Sequence, residues 1–307
     1  MDKIIDISQW NVVTDWNAVK NNVDAVIIRM GYRGYSKGTL ALDSKFKEYT
    51  AACAAHGIPY SVYFFPCSIN NQEANEEADF ILKNIEGMRV SLPVFLDSEV
   101  ASSKKDGRSD KLSVANRTRF LRIICERLEA AGIRSGVYAS ASWLNNNLNM
   151  AELSQFITWC AQYNSKCTYK GAFALWQYTS KGSVAGIKGN VDISKVTGAL
   201  PAMDGKPVIV EPNTKIIASP YTVGKNYITQ VNLYVRTSAN GAKKNFTALT
   251  TSGKQHAYKD AAGKVILKKG TTVTVQDVSI LDNGQVWVKI PSGWICGIYN
   301  NGSVYVM

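Results

Sequence analysis

Short apolar runs recur along the first 200 residues of the chain, separated by segments of mixed polarity. A continuous apolar run of about four to eight residues is typical of a strand that is buried on both faces. The runs of this kind are Lys3–Ile7, Ala25–Met30, Pro59–Phe65, Leu92–Leu96, Gly136–Ala139, Phe156–Ala161, Phe173–Gln177 and Asn190–Ile193. The pattern therefore predicts eight buried strands of a parallel sheet.

Three of the intervening segments carry apolar residues at helical spacing, and a glycine follows each of them. Such a glycine ends a helix because it adopts the left-handed conformation without strain. The predicted helices cover residues 42–53 before Gly57, 74–85 before Gly87 and 120–131 before Gly132. Strands that alternate with helices predict an α/β fold, and the presence of eight such strands predicts a TIM-like (β/α) barrel. The weaker helical pattern after Ser140 predicts an irregular second half.

Residues 201–221 interrupt this pattern. Proline and glycine recur there in a segment too polar for a helix, which predicts a linker. Beyond it, apolar and polar residues alternate with a period of two, as in Leu233–Arg236, Thr272–Val275 and Val286–Ile290, and no helical pattern appears. We therefore expect a barrel domain over residues 1–200 and a small all-β domain over residues 222–307.

The composition is that of a globular protein. Hydrophobic residues make up 46% of the chain and charged residues 19%, which suffices for a sizeable core and argues against disorder. No apolar stretch approaches the roughly 18 residues of a membrane span. The N-terminus, Met1–Asp6, has acids where a signal peptide has basic residues. We expect no membrane span, no export signal and production in the cytoplasm.

The net charge is +11, and the C-terminal part of the chain is the more basic one. Residues 201–307 carry 12 Lys and Arg against 5 Asp and Glu. A basic surface favours nucleic acid, an anionic membrane or the anionic wall of a Gram-positive cell. The lysines are scattered and no nucleic-acid motif is present, so we expect no specific nucleic-acid partner. A solvated basic face and a patch that holds the wall both remain open.

The sequence offers little for cysteine or zinc chemistry. The cysteines are Cys53, Cys67, Cys125, Cys160, Cys167 and Cys296. They form no CxxC pair, and His56 and His256 are the two histidines of the chain. A zinc site or a thiol nucleophile needs more nearby histidine than this. We expect six reduced thiols, no metal and no other cofactor.

Acidic residues stand at the ends of predicted strands. Asp6 lies in the first strand, Asp97 and Glu99 follow the fourth, and Asp192 lies in the eighth. In a parallel barrel, functional side chains collect where the strands end. Asp97 and Glu99 are two residues apart, so an extended chain points both to one face, with Cα atoms about 6.6 Å apart. Carboxyls that share a pocket raise one another's pKa, and this produces the proton donor that glycosidic cleavage requires.

Two alternative roles for these acids stay open. A single acid at a strand end can cap the helix that follows, which suits Asp97 taken alone. A carboxylate cluster without histidine suits calcium or magnesium. Convergence of four acids is harder to explain structurally, because burying unpaired like charges costs several kcal/mol.

Aromatic residues stand near the same strand ends. Each one by itself is more often part of a core, but several together suit the mouth of a sugar-binding groove, where ring faces cover the apolar faces of pyranoses. These aromatic residues are Trp10, Tyr32, Tyr63, Tyr138, Trp159, Tyr163 and Trp176. The pattern is compatible with a carbohydrate ligand.

Several motifs within residues 1–197 follow one another in a recognisable order. They are Asp6–Ser8, Val26–Arg29, Gly57–Phe65, Leu96–Glu99, Gly136–Ser140, Trp159–Tyr163, Leu175–Tyr178 and Val191–Ile193. Their order resembles that of the family 25 glycoside hydrolases, the lysozyme-type muramidases, and Leu96–Glu99 resembles the family's DxE strand. Phe64 stands where that family commonly has histidine, so a polar contact near the groove is missing from the pattern.

The resemblance implies hydrolysis of the β-1,4 bond between N-acetylmuramic acid and N-acetylglucosamine in peptidoglycan. Glu99 would protonate the leaving oxygen, and Asp97 would orient or stabilise the substrate's N-acetyl group, which can itself act as nucleophile. Asp6 and Asp192 would line the groove and set the charge around Glu99. The residues expected to contact the sugars are Tyr63, Tyr138, Trp176, Tyr32, Tyr163 and Arg29.

The C-terminal part resembles a bacterial SH3-like wall-binding domain in the segments Val231–Arg236, Gly270–Val275, Gln285–Ile290 and Gly293–Ile295. A catalytic barrel, a linker and a basic wall-binding domain are together typical of a phage endolysin. Such an enzyme collects in the cytoplasm of the infected cell and acts on the Gram-positive wall after release. A bacterial autolysin and a non-catalytic peptidoglycan-binding protein are the alternatives.

Two features of the C-terminal part stay open. Trp287 and Trp294 suit either the core of a small barrel or contacts to a ligand. Met203 lies in the linker, so translation that starts there would give a free binding domain, which could form an oligomer with the full-length chain. Chance placement of a methionine is the favoured explanation of Met203.

Overall fold

The computed structural model describes residues 3–201, 206–208, 219–281, 285–299 and 303–307. Its contacts divide the chain into two compact units, and the main break falls between Thr214 and Lys215. The domain boundaries expected from the sequence remain a prediction, and Met203 lies outside the described residues.

The first unit is mixed α/β. Its strands are β1 (Ile4–Ile7), β2 (Val12–Val13), β3 (Ala25–Arg33), β4 (Leu40–Leu42), β5 (Tyr60–Phe65), β6 (Val94–Asp97), β7 (Ser135–Ser140), β8 (Ile157–Ala161), β9 (Leu175–Gly182), β10 (Ile187–Lys188) and β11 (Val191–Val196). Its helices are α1 (Trp16–Lys20), α2 (Phe46–His56), α3 (Asn71–Ile85), α4 (Val114–Ala130) and α5 (Ala141–Asn146). None of the helices in the described ranges is long and apolar enough to cross a bilayer.

Eight strands close into a barrel in the order β1, β3, β5, β6, β7, β8, β9 and β11, with β11 pairing back to β1. These are the eight strands that the apolar runs predict, so the α/β barrel is confirmed. The expectation of a wholly parallel sheet is wrong for the last strand, because β11 is antiparallel to both β1 and β9. The reversal brings the first residues of β11 to the edge where the other strands end.

Alternation along the strands divides the apolar side chains of the first unit into two layers. Inward residues such as Ile4, Phe95 and Trp159 fill the barrel, whereas outward residues such as Ile5 and Leu96 pack beneath the helices. Both layers are almost fully buried. The barrel interior below the mouth is therefore a packed core.

The helix predicted from residue 42 begins later. Leu42 lies in β4, which pairs antiparallel with β3, and α2 starts at Phe46. The Oδ1 atom of Asp43 accepts a hydrogen bond from the backbone N–H of Lys45 at 2.9 Å in the turn before the helix, and the N-cap residue Lys45 makes no side-chain capping bond. At the other end Gly57 adopts a φ of 64°, as the stop signal predicts.

The second half of the barrel is irregular, as expected. The connection from β7 to β8 contains the short helix α5, and the one from β8 to β9 contains no helix. Apolar residues there occur in runs too short for a helical face.

The second unit is built mainly from short strands. They are β12 (Asn226–Ile228), β13 (Leu233–Tyr234), β14 (Ala257–Lys259), β15 (Val265–Leu267), β16 (Thr272–Thr274), β17 (Asp277–Ile280), β18 (Val286–Ile290) and β19 (Gly293–Ile298). They form three small sheets, β12–β16, β13–β15–β14 and β17–β18–β19.

The unit also contains the short helix α6 (Thr251–Gln255), where the sequence shows no helical pattern, and the small all-β domain stays a prediction. The Oγ1 atom of Thr250 accepts a hydrogen bond from the backbone N–H of Gly253 at 3.2 Å and caps that helix. Trp287 and Trp294 pack with Cys296 in a small apolar cluster and are only 3% and 7% exposed. Their burial favours the core role over ligand contact.

Candidate active site

Four acidic side chains from three strands and one loop line a single cavity at the mouth of the barrel. The cavity has a volume of about 320 Å³. Its lining residues are Asp6, Tyr63, Asp97, Glu99, Tyr138, Trp159, Tyr163, Gln177, Ser180 and Asp192. No Lys, Arg or His is among these lining residues. The cavity therefore gathers carboxyl and hydroxyl groups without an opposite charge on its wall.

Strand parity and strand direction explain how the acids meet. Asp6 follows the inward Ile4 by two residues on β1, and Asp97 follows the inward Phe95 by two residues on β6. Asp192 is the residue opposite Asp6 in the antiparallel pairing of β11 with β1. It reaches the mouth from the beginning of its strand because β11 runs the other way.

The peptide between Asp97 and Glu99 is held by hydrogen bonds on both sides. The backbone N–H of Ser98 donates to the carbonyl oxygen of Tyr138 at 2.8 Å. The Oγ atom of Ser98 accepts a hydrogen bond from Nε1 of Trp143 at 3.1 Å. These contacts fix the chain where it leaves β6 and so direct Glu99 into the cavity.

Gln177 is the centre of a hydrogen-bond network on the cavity wall. Its Nε2 donates to Oδ2 of Asp6 at 2.9 Å. Its Oε1 accepts hydrogen bonds from the hydroxyls of Tyr138 at 2.8 Å and Tyr163 at 2.9 Å. Burial raises the pKa of Tyr163 to about 12, so this hydroxyl keeps the proton it donates. The network holds Asp6 and two tyrosines in fixed relation.

Asp6 and Asp192 compete for ionisation. Burial, followed by the charge of Asp192, raises the pKa of Asp6 well above its usual range. Burial also raises the pKa of the half-buried Asp192. The interaction with Asp192 raises the pKa of Asp6, whereas the interaction with Asp6 lowers that of Asp192, so the more deeply buried Asp6 is the one that keeps the proton.

Asp97 is buried and incompletely paired. Its pKa is raised by burial and then by Glu99 and Asp6, while Arg29 lowers it in part. The Oδ1 atom of Asp97 is buried without a hydrogen-bond partner among the described residues. A buried oxygen in this state is an acceptor that a ligand N–H can satisfy.

Glu99 is the most accessible of the four acids. Its side chain is exposed at the cavity rim, yet its surroundings are closed enough for burial to raise its pKa, and the charge of Asp192 adds to that effect. A carboxyl that is both reachable and protonated above its ordinary range can donate a proton to a bound substrate.

The remaining residues predicted to contact sugars divide into two groups. Tyr63, Tyr138 and Tyr163 line the cavity. Three others are absent from its lining, namely Trp176, Tyr32 and Arg29.

Each of these three side chains has another position. Trp176 is 6% exposed and points away from the barrel interior, where its Nε1 donates to the carbonyl oxygen of Gln162 at 2.8 Å. Arg29 forms an ion pair with Asp43 at 2.7 Å, and its guanidinium carbon lies 5.8 Å from the ring centre of Tyr32. Arg29 thus acts on the site through its charge, which lowers the pKa of Asp97 in part. Contact of Trp176, Tyr32 and Arg29 with sugars remains a prediction, and the cavity lining does not support it.

Sequence reasoning passed over Gln177 and Ser180. Gln177 lies in the motif Leu175–Tyr178, where the aromatic Trp176 attracts notice first. The inward Leu175 sets the parity of β9, and this parity turns Gln177 into the barrel and Trp176 out of it. The same reasoning explains Phe64, which points outward, is fully buried and packs on Phe80 with ring centres 6.0 Å apart. A histidine at that position would not line this cavity.

The two alternative roles of the acids, a helix cap and a metal site, are less well supported by the structure. The helix after β6 is α4, and its cap is Ser113, not Asp97. In the part of the chain that the structure describes, no group of three or more His, Cys, Asp or Glu side chains is arranged to hold a metal ion.

Comparison with known proteins relates most of the first unit to a family. Residues 5–187 match the family described as glycosyl hydrolases family 25. The autolytic lysozyme of Clostridium acetobutylicum is 24% identical over 212 residues, which cover 68% of this chain and 60% of that protein. The match thus leaves two fifths of that relative's length without a counterpart here.

Solved structures show a similar fold. The modular autolysin LytC from Streptococcus pneumoniae is 28% identical, with a TM-score of 0.56 over 64% of this chain and 46% of that chain. The spore cortex lytic enzyme SleM of Clostridium perfringens is 16% identical, with a TM-score of 0.56, and the match covers 100% of this chain and 97% of that one. The second likeness is one of fold alone.

Proposed function

Because this chain belongs to glycosyl hydrolases family 25, we propose that it is a lysozyme-type enzyme that hydrolyses peptidoglycan. The proposed target is the β-1,4 bond between N-acetylmuramic acid and N-acetylglucosamine. The observation that carries the proposal is the cavity at the barrel mouth, where Asp6, Asp97, Glu99 and Asp192 meet without a cation in the wall. Lysozymes and autolysins among the relatives support the same substrate class.

Glu99 is the proposed proton donor. Departure of a sugar oxygen requires a proton, and a carboxyl supplies it best when its pKa lies near the working pH. Glu99 has a raised pKa and an exposed carboxyl at the rim, so a glycan in the cavity can reach it.

Asp97 is the proposed partner of the substrate's N-acetyl group. Its unpaired Oδ1 would accept the acetamido N–H. The carbonyl oxygen of that group would then attack the anomeric carbon as the glycosidic bond breaks and Glu99 protonates the leaving oxygen. Water would open the resulting ring and return a proton to Glu99. Every step uses groups that line the same cavity.

Asp6 and Asp192 would set the charge of the cavity. Because Asp6 keeps its proton, the pair carries close to one negative charge, which stabilises positive charge at the anomeric carbon. The same charge raises the pKa of Glu99. Tyr63, Tyr138 and Tyr163 would offer ring faces and hydroxyls to the sugars.

For the second unit we propose an SH3-like domain that binds the anionic wall of a Gram-positive cell. Its sequence motifs and its excess of lysine support the proposal, and its short strands suit a small all-β domain. Self-association through this domain, phage origin and release from the cytoplasm of an infected cell remain further proposals.

The test is mass spectrometry of muropeptides released from purified Gram-positive walls. We expect new reducing ends on muramic acid with the natural protein, release slowed by about 10²- to 10⁴-fold with Glu99→Gln, and normal release with the control Glu86→Gln, whose side chain is exposed outside the cavity. Reducing ends on glucosamine, or new peptide termini, would contradict the proposed bond. Binding to the walls without any release would favour the non-catalytic alternative.

A further inference from the structure

Two thiols lie in contact beside the candidate active site. Cys160 is in β8 and is fully buried, and Cys167 is in the loop that follows and is partly exposed. Their sulfur atoms are 3.6 Å apart, and both cysteines are reduced. No other two thiols of the described residues are in hydrogen-bond contact.

The loop between them is already closed at its base. The Oε1 atom of Gln162 accepts a hydrogen bond from the backbone N–H of Thr168 at 2.6 Å, and its Nε2 donates to Oγ1 of Thr168 at 2.9 Å. These contacts hold the chain next to Cys160 against the chain next to Cys167. A disulfide needs the sulfurs at about 2.05 Å, so they must approach by only about 1.5 Å.

The loop also carries a residue of the cavity. Tyr163 lies within it, and its hydroxyl donates to Oε1 of Gln177 at 2.9 Å. Gln177 in turn holds Asp6. A covalent bond between Cys160 and Cys167 would thus tie down the segment that places Tyr163.

We propose that Cys160 and Cys167 are a redox site, which small-molecule disulfides convert into an intramolecular disulfide that fixes the Tyr163 loop. The reaction is an exchange with an oxidant such as oxidised glutathione. The accessible Cys167 thiolate attacks the oxidant, which forms a mixed disulfide and releases one glutathione thiolate. The Cys160 thiolate then attacks the Cys167 sulfur and releases the second. The two protein thiols lose two protons and two electrons, and one oxidised glutathione becomes two reduced molecules.

The order of attack follows from burial. Cys167 meets solvent first, whereas Cys160 has no access of its own. Burial and the neighbouring Cys167 also raise the pKa of Cys160, which makes the second exchange the slower one. A thiol already in contact still closes the ring, because its effective concentration at Cys167 is very high.

Peptide mapping tests the bond. The full-length folded protein is incubated with oxidised glutathione, free thiols are blocked and trypsin is added. Cleavage after Arg134, Lys166 and Lys170 separates residues 135–166 from residues 167–170, so a disulfide leaves these two peptides joined. We expect the joined pair in the natural protein and in Cys53→Ala, and its loss in Cys167→Ala and after reduction with dithiothreitol.

Thermal unfolding supplies the second measurement. The oxidised protein should unfold roughly 3 to 8 °C higher than the reduced protein, and Cys167→Ala should show no such difference. A Cys167 that remains in mixed disulfide with glutathione, or a joined pair that forms only after denaturation, would overturn the proposal. Neither result bears on the hydrolase activity, because the redox site and Glu99 are tested by different measurements.

Discussion

Two groups of carboxylates in the first unit differ in their charged neighbours. At the barrel mouth, Asp6, Asp97, Glu99 and Asp192 share a cavity without a cation on its wall. On α3, three glutamates face arginines from other parts of the chain, and two of these glutamates lie mostly out of solvent. The acids on α3 form ion pairs that link parts of the fold, whereas the acids at the mouth are buried together at a cost in stability.

The α3 group is a network of ion pairs. Arg33 contacts Oε1 of Glu77 at 2.8 Å and Oε2 of Glu76 at 3.0 Å. Arg108 binds Glu73 with both of its terminal nitrogens, at 2.8 and 2.7 Å. Arg108 belongs to the loop that follows Glu99, so this network also anchors the chain leaving the site. The buried Glu77 thus has a cation in contact, although burial still leaves its pKa raised to about 7.

The mouth group has no cation on its wall, and burial together with neighbouring carboxyls raises the pKa values of its acids. Like charges that are buried without partners destabilise a fold. An arrangement that costs stability and lies in an open cavity is what a catalytic site requires. Removing an acidic charge at the mouth should therefore leave the fold as stable or make it more stable, whereas removing an arginine charge from the α3 network should destabilise it.

The largest effect is expected from Glu99→Gln. Loss of a general acid lowers the rate of the chemical step by about 10²- to 10⁴-fold. Because Glu99 has no ion-pair partner among the described residues, the free energy of unfolding should stay within about 0.5 kcal/mol of its original value. Muropeptide release and denaturant unfolding measure the two quantities, and a large loss of stability would place Glu99 in the fold rather than in the chemistry.

The next effect concerns the α3 network. Arg33→Met leaves the fully buried Glu77 without its cation, which should lower the free energy of unfolding by about 3 to 5 kcal/mol. Burial already raises the pKa of Glu77 to about 7 against the pull of Arg33. Without Arg33 it should hold its proton to still higher pH, so the loss grows as the pH rises. The control is Arg134→Met, which breaks an exposed pair with Glu129 and should cost less than about 1 kcal/mol. Equal losses in the two variants would show that burial does not distinguish the pairs.

Asp6→Asn should have the opposite sign. The raised pKa of Asp6 means that the folded state keeps a proton that the unfolded chain gives up near pH 4. The stability of the natural protein is thus fullest below that pH and falls as the pH rises through the folded pKa. Asparagine imitates the neutral form and can still accept the hydrogen bond from Gln177. The variant should therefore gain stability over the natural protein as the pH rises, on the order of 1 kcal/mol at pH 7. Thermal unfolding between pH 4 and 8 measures the gain, and a variant that is uniformly less stable would contradict the assignment.

The smallest effect separates two aromatic residues. Tyr163→Phe removes one hydrogen bond to Gln177, worth about 0.5 to 1.5 kcal/mol, and should raise KM for soluble glycan fragments about 2- to 10-fold. Trp176→Phe changes a side chain outside the cavity lining and should leave KM unchanged. A larger increase in KM from Trp176→Phe would indicate that Trp176 contacts the sugars, as the sequence predicts.

The sequence predicts the barrel well because continuous apolar runs and glycine stops are local signals. The four acids are predictable for the same reason, since the spacing of Asp97 and Glu99 fixes their common face. The direction of β11 is less accessible, because its short connection after β10 carries no helix to enforce a parallel crossover. The role of Gln177 depends on the inward parity of β9, and residue type alone points to Trp176.

Contacts that depend on tertiary packing cannot be predicted from such local patterns. Arg33 and Glu77 are 44 residues apart, and neither belongs to a motif. Cys160 and Cys167 are close in sequence, yet only the path of their loop brings the sulfurs into contact. In both cases tertiary packing, and not local pattern, decides which polar groups meet.

The pKa of Glu99 tests the central claim most directly. Carbon-13 labelled glutamate allows its carboxyl to be followed by NMR as the pH is raised, with Glu99→Gln to assign the signal. We predict a pKa above the ordinary value of about 4.3 in the natural protein, and a lower one in Asp192→Asn, because the charge of Asp192 contributes to the shift. An ordinary pKa that Asp192→Asn leaves unchanged would contradict the view that uncompensated acids at the mouth keep Glu99 protonated.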